Sequence, residues 1–202
     1  MENRKRIECT IVLAAINVII FFLLSFGGMT EDGTYMLKFG AMYVPNFVIE
    51  KEYYRIFTSM FLHFDFQHLM NNMVTLLVVG NYLEPVIGKV KFLIIYILSG
   101  LGGSVLSLVS ELLSGDYAIS AGASGAIFGL TGALLALTIL NRGNIAGITN
   151  QGMLIMIGIS LYNGFVSTGV NNLAHIGGLI SGFIVTILIC FQDYMKCGTS
   201  ID

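Results

Sequence analysis

The fold class predicted for this chain is an all-α polytopic membrane protein, a bundle of six transmembrane helices, and three observations predict it. Of its 202 residues 55% are hydrophobic and only 11% charged, a balance far from that of a soluble domain. The apolar residues gather in six stretches that meet or approach the length of a bilayer crossing. Lysine and arginine then fall unevenly between successive connections, as they do when a chain is threaded back and forth through a membrane.

A helix crossing a hydrocarbon core of about 30 Å needs roughly 17–25 mainly apolar residues, because each residue rises about 1.5 Å and every backbone polar group must be satisfied internally. The first span is read over Thr10–Phe26, the second over Leu69–Val86, the third over Phe92–Leu113 and the fourth over Ser124–Leu140. The fifth, Gly152–Phe165, is short and is drawn in by its place in the series; the sixth is Leu173–Phe191. One long connection, Gly27–Gln67, carries Pro45, scattered charges and apolar clusters such as Phe39–Val44, and is expected on or partly in the outer membrane surface. The remaining connections are short and no internal repeat or low-complexity segment interrupts them, so residues 1–202 are read as one membrane domain.

Arg4, Lys5 and Arg6 precede the first span, Lys89 and Lys91 flank the second connection, Arg142 lies in the fourth and Lys196 follows the sixth span, which puts seven of the ten Lys and Arg on one side. Lys38, Lys51 and Arg55 fall on the other. The positive-inside rule then places both termini in the cytoplasm of a multi-pass protein of the cell membrane. A basic start before an apolar run also describes a cleaved signal peptide, but this run is long for one and its loss would leave five spans with displaced orientation. Cys9, Cys190 and Cys197 suggest neither a disulfide framework nor a metal spacing, and a net charge of −2 predicts no nucleic-acid partner.

Small residues recur at helical spacing in the fourth span (Gly125, Gly129, Ala133) and the sixth (Gly178, Gly182). Between helices in lipid there is little hydrophobic drive, so close approach through such faces is a main source of packing energy and is expected to bring these two helices together. The second, fourth and sixth spans all run inward from the outer surface, and each opens with polar residues: His68 and Asn72 one turn apart, Ser124 within Gly122-Ala123-Ser124-Gly125, and His175 on the face shared with Gly178 and Gly182. Individually these have ordinary explanations, an interhelical polar clamp or a helix cap. Their common depth makes them neighbours. A serine hydroxyl is a weak nucleophile that a neutral imidazole can activate, so Ser124 and His175 read as a nucleophile and its base. The amide of Ser124 with the side chains of His68 and Asn72 supplies candidate oxyanion donors. No acidic residue is placed as a third member, and a dyad is expected.

These residues resemble the rhomboid family: H-x-x-x-N in the second span (His68, Asn72), G-x-S-G opening the fourth (Gly122, Ser124, Gly125) and A-H-x-x-G-x-x-x-G in the sixth (His175, Gly178, Gly182). Tyr54-Arg55 is similar to the family's Trp-Arg pair in the first loop, His63 stands five residues before His68, and Glu84 lies near the end of the second span. The resemblance implies an intramembrane serine endopeptidase with a six-helix fold, Ser124 and His175 as catalytic dyad, and His68 and Asn72 as oxyanion-hole residues. It implies substrates that are themselves transmembrane proteins in a lipid bilayer, a site open toward the outer side, and no metal or organic cofactor. Where the family often has tyrosine four residues after the serine, this chain has Phe128, which can stack on the histidine but not hydrogen-bond to it. Two other classes compete. A non-catalytic rhomboid-like binder has usually lost the residues present here, and a channel or transporter usually places its polar groups nearer the midplane. A metal site built on the three histidines lacks a carboxylate or thiol to complete its shell.

Overall fold

The computed structural model describes residues 7–141, 143–145, 147–166 and 169–198. Arg4, Lys5, Arg6 and Arg142, which carry part of the charge asymmetry, lie outside the described residues. All six apolar stretches are helices: α1 (Glu8–Gly27), then, after three short helices in the first loop, α5 (Phe66–Ile87), α6 (Lys89–Ser114), α7 (Ser124–Leu140), α8 (Asn150–Val166) and α9 (Asn172–Gly198). By length and composition three are long and apolar enough to cross a membrane, α1, α6 and α9 over Asn172–Cys190, and α7 is apolar but shorter. Helix α5 is diluted by polar residues, two of which it buries. Asn72 and Glu84 are buried among Leu69, Met73, Leu76, Val79 and Leu83, while the apolar Phe66, Met70, Val74, Leu77, Tyr82 and Val86 are exposed beside Gln67, Asn71, Thr75 and Asn81.

One exception interrupts the helices. Asn144–Ile145 and Ile148–Thr149 pair antiparallel as strands β1 and β2, two residues each, with Gly147 at φ +83° allowing the chain to reverse between them. The first loop is also more structured than a surface connection. It contains α2 (Gly33–Lys38), α3 (Val44–Val48), α4 (Arg55–Thr58) and a 3-10 turn over Ser59–Phe61. Arg55, 4% exposed, ties this layer together: it pairs with Glu52 at 2.6 Å and donates to the carbonyls of Leu37 and Ala41, each at 2.8 Å. Tyr54 lies beside the same guanidinium, its ring centroid 5.5 Å from Cζ, and its hydroxyl donates to Glu52 at 3.1 Å.

Helix α7 is the centre of the bundle, buried around its circumference from Gly125 to Thr138, as a predominantly apolar helix is when other helices surround it. Its contact with α9 is made through glycines. A Cβ at Gly178 would collide with the carbonyl of Gly125, and one at Gly182 with the backbone of Gly129. Helix α6 joins them through a face the sequence reading passed over: a Cβ at Gly103 would come within 2.5 Å of the Ala174 carbonyl oxygen.

At the opposite end, α1 begins without a side-chain cap of its own, and Glu84 of α5 takes that place. Its carboxylate accepts from the amides of Cys9 (2.9 Å) and Thr10 (2.8 Å) and from the Thr10 hydroxyl (2.7 Å). An anion at a helix N-terminus satisfies orphan amides and meets the positive end of the macrodipole. Glu84→Ala is expected to cost about 3 kcal/mol, the scale of losing charge-assisted bonds at a buried site, with Glu84→Gln intermediate; chemical denaturation in detergent measures both.

Candidate active site

Helices α5, α7 and α9 start at the same end of the bundle, and their first turns converge. Ser124 is the first residue of α7. The position before it, Ala123, is helical (φ −72°, ψ −7°) and makes no side-chain cap, so the Ser124 hydroxyl is not spent on capping. Instead it lies 2.8 Å from Nε2 of His175, one turn into α9. The Phe128 ring stacks on the imidazole with centroids 4.3 Å apart and planes 11° from parallel, which fixes the ring's plane while leaving its edge toward Ser124. Nδ1 of His175 is buried with no hydrogen-bond partner among the described residues. A proton on Nδ1 leaves Nε2 as the acceptor facing the serine.

The segment before Ser124 is held in an unusual course. Gly122 has φ +144°, a region L side chains rarely adopt, and a Cβ there would lie 2.9 Å from both Cε1 and Nε2 of His68. Glycine is required twice over, for the backbone angle and for the approach of His68 to the serine's turn. The amide of Gly122 donates to the Ser59 carbonyl at 2.9 Å, and Met42 and Ser120 exchange backbone bonds at 2.8 and 2.9 Å, so the first-loop layer clamps the approach to Ser124. Asn72, one turn below His68 and 7% exposed, presents a buried Nδ2 donor with no partner among the described residues. The structure thus brings Ser124, His175 and Phe128 into contact, sets His68 against Gly122 and puts Gly125 and Gly178 in the contact between α7 and α9, while Asn72 lies one turn along α5 from His68.

Beside Ser124, on the side of α6, a cavity of about 40 Å³ is lined by Ser59, Ser104, Ser107, Ser120, Ser124 and Asn171 among others. That is room for a few waters among hydroxyls, inside a bundle whose outer faces are apolar. Sequence reasoning missed this polar lining. The signals were there, since Ser107 follows Gly100 and Gly103 on the small-residue face of α6, and Asn171 precedes α9 where a cap belongs.

His63 precedes α5, 1% exposed, its ring centroid 5.0 Å from that of His68 and both its nitrogens without a partner among the described residues. Burial first, and the neighbouring His68 second, push its pKa down to about 3. A histidine that is neutral when folded and ordinary when unfolded contributes full stability above about pH 6.5 and loses it as pH falls, so going from pH 7.5 to 5 should cost about 2 kcal/mol from this residue. Thermal unfolding across that range, with His63→Phe flattening the dependence, is the measurement.

Fold and site together define a helical membrane protein with a serine and a histidine in contact near one end of its bundle. Comparison with known proteins agrees on its kinship. The sequence profile described as Rhomboid domain matches residues 50–192. Rhomboid protease GluP of Bacillus subtilis (strain 168) is 36% identical over 174 residues, covering 86% of this chain and 33% of that protein. Putative rhomboid protease YdcA of the same organism is 36% identical over 146 residues, 72% of this chain and 71% of its own length. RHOMBOID-like protein 5 of Arabidopsis thaliana is 35% identical over 159 residues, 77% of this chain and 50% of that protein. The chain belongs to the rhomboid family. It spans about a third of GluP and half of the plant relative. Among the described residues no group of three or more His, Cys, Asp or Glu is placed to hold a metal ion.

Proposed function

We propose that this protein is an intramembrane serine endopeptidase, cleaving peptide bonds in or beside transmembrane segments of other membrane proteins through a Ser124–His175 dyad. The observation that carries the reading is the 2.8 Å contact between Ser124 Oγ and His175 Nε2, within a family whose relatives are named as proteases. Ser124 Oγ attacks the scissile carbonyl carbon while its proton passes to His175 Nε2. The carbonyl oxygen becomes an oxyanion, stabilised by Asn72 Nδ2, the His68 ring and the Ser124 amide. The C–N bond then breaks, His175 returns the proton to the leaving amine, and an acyl-enzyme remains on Ser124. Water, deprotonated by His175, releases the acyl group and restores the hydroxyl. No step calls on a metal or cofactor.

The six helices are proposed to be six membrane spans forming one domain, with both termini cytoplasmic and the site opening outward in the cell membrane. Two features support this arrangement. The polar cluster sits where α5, α7 and α9 begin, and α1 begins at the other end, against Glu84. The test is cleavage of a transmembrane substrate in proteoliposomes by wild type and Ser124→Ala; cleavage by the variant at the wild-type rate would remove the dyad.

A further inference from the structure

A dyad lacks the carboxylate that orients histidine in a triad, so the position of His175 rests on Phe128 and on where α9 begins. That beginning is anchored by a polar chain outside the reacting groups. Asn171 caps α9: its Oδ1 accepts from the Ala174 amide at 3.0 Å, and its carbonyl accepts from the His175 amide at 3.3 Å. Its Nδ2 reaches across to α6 and donates to Ser107 Oγ at 2.6 Å. Ser107, 6% exposed, donates in turn to Glu111 Oε1 at 3.0 Å. The other carboxylate oxygen, Oε2, accepts at 3.2 Å from the amide of Ala118, in the segment leading to Ser124. One carboxylate therefore ties both approaches to the dyad onto α6.

We infer that Asn171, Ser107 and Glu111 form a positioning strut that sets the distance and angle between His175 and Ser124. This rests on the dyad proposed above and assigns the strut no contact with substrate. Direction matters along the chain: the Glu111 carboxylate accepts the hydrogen bond of the Ser107 hydroxyl, which turns the Ser107 lone pairs toward the Asn171 amide, and bonds aligned in this way reinforce one another. The strut acts on the ground-state geometry of a reacting pair, where displacements well under 1 Å are costly in rate. The signature is therefore a loss in kcat with KM unchanged.

Two variants cut the same bond from opposite ends. Asn171→Ser keeps a good N-cap but gives up the amide that reaches α6, and Ser107→Ala leaves the cap untouched. Each is expected to lower kcat, and the rate at which a fluorophosphonate labels Ser124, by about tenfold at unchanged KM. The double variant should be no slower than the slower single one, since both remove one interaction. Ser107→Thr, which keeps the hydroxyl, should recover most of the rate. Wild-type labelling rates in both single variants, or losses that multiply in the double, would overturn the strut. Failure of the wild-type protein to label at Ser124 would instead overturn the dyad on which it stands, so the two failures are separable.

Discussion

Alanine at either Ser124 or His175 is expected to lower turnover of a transmembrane substrate by roughly 10⁴-fold or more, and the double substitution to lower it no further. The reason is that the two side chains act as one unit. Without the imidazole the hydroxyl keeps its proton and is a poor nucleophile; without the hydroxyl the imidazole has nothing to activate. Single-turnover kinetics on the four combinations measure this directly. Losses that multiply would mean that the 2.8 Å contact is a packing contact and that each residue acts separately. KM should move little, because neither group needs to contribute to holding a transmembrane helix against the protein. Inactivation by a fluorophosphonate, which needs the nucleophile but no substrate helix, should fall in parallel with kcat.

Much of this arrangement is readable in the residues. Helix lengths follow from runs of apolar side chains, and the six stretches match six helices, α7 over the same Ser124–Leu140 and the others within three residues, except that α9 runs seven residues past Phe191 to Gly198. The meeting of α7 and α9 is legible in the spacing of Gly125, Gly129, Gly178 and Gly182, because a missing Cβ is a local property that directly sets how close two backbones come. The common end of α5, α7 and α9 is legible too, since three helices running the same way must start at one end.

What was hidden depends on pairing across the sequence. Nothing near Glu84 announces that its carboxylate caps a helix 74 residues earlier. Nothing in Val44–Thr58 shows that the first loop folds around Arg55, since its three acceptors, Glu52, Leu37 and Ala41, are a carboxylate and two carbonyls that any sequence offers. The substitution of Phe for Tyr at 128 is resolved by geometry rather than composition: a parallel stack at 4.3 Å needs a flat face and no hydroxyl. The hairpin of β1 and β2 escaped because two residues per strand carry no periodicity.

Asn72→Ala is expected to lower kcat by roughly 10²–10³-fold, with KM near wild type, and to leave unfolding stability unchanged or raised. The two halves of that statement have one cause. Asn72 Nδ2 is a buried donor with no partner among the described residues, so its truncation removes no hydrogen bond to them, while a polar group confined in a bundle is held at a cost of about 1–3 kcal/mol. The donor becomes useful when the carbonyl oxygen gains charge, and an interaction made only in the transition state appears in kcat alone. His68 is placed differently. It lies against the Gly122 turn and against His63, so its replacement should disturb packing as well as rate. Comparing Asn72→Ala with His68→Ala therefore separates a donor waiting for charge from one that also supports the fold. Steady-state kinetics and thermal unfolding on both give the answer: a large fall in stability for Asn72→Ala, with kcat per folded molecule unchanged, would make that side chain a structural clamp.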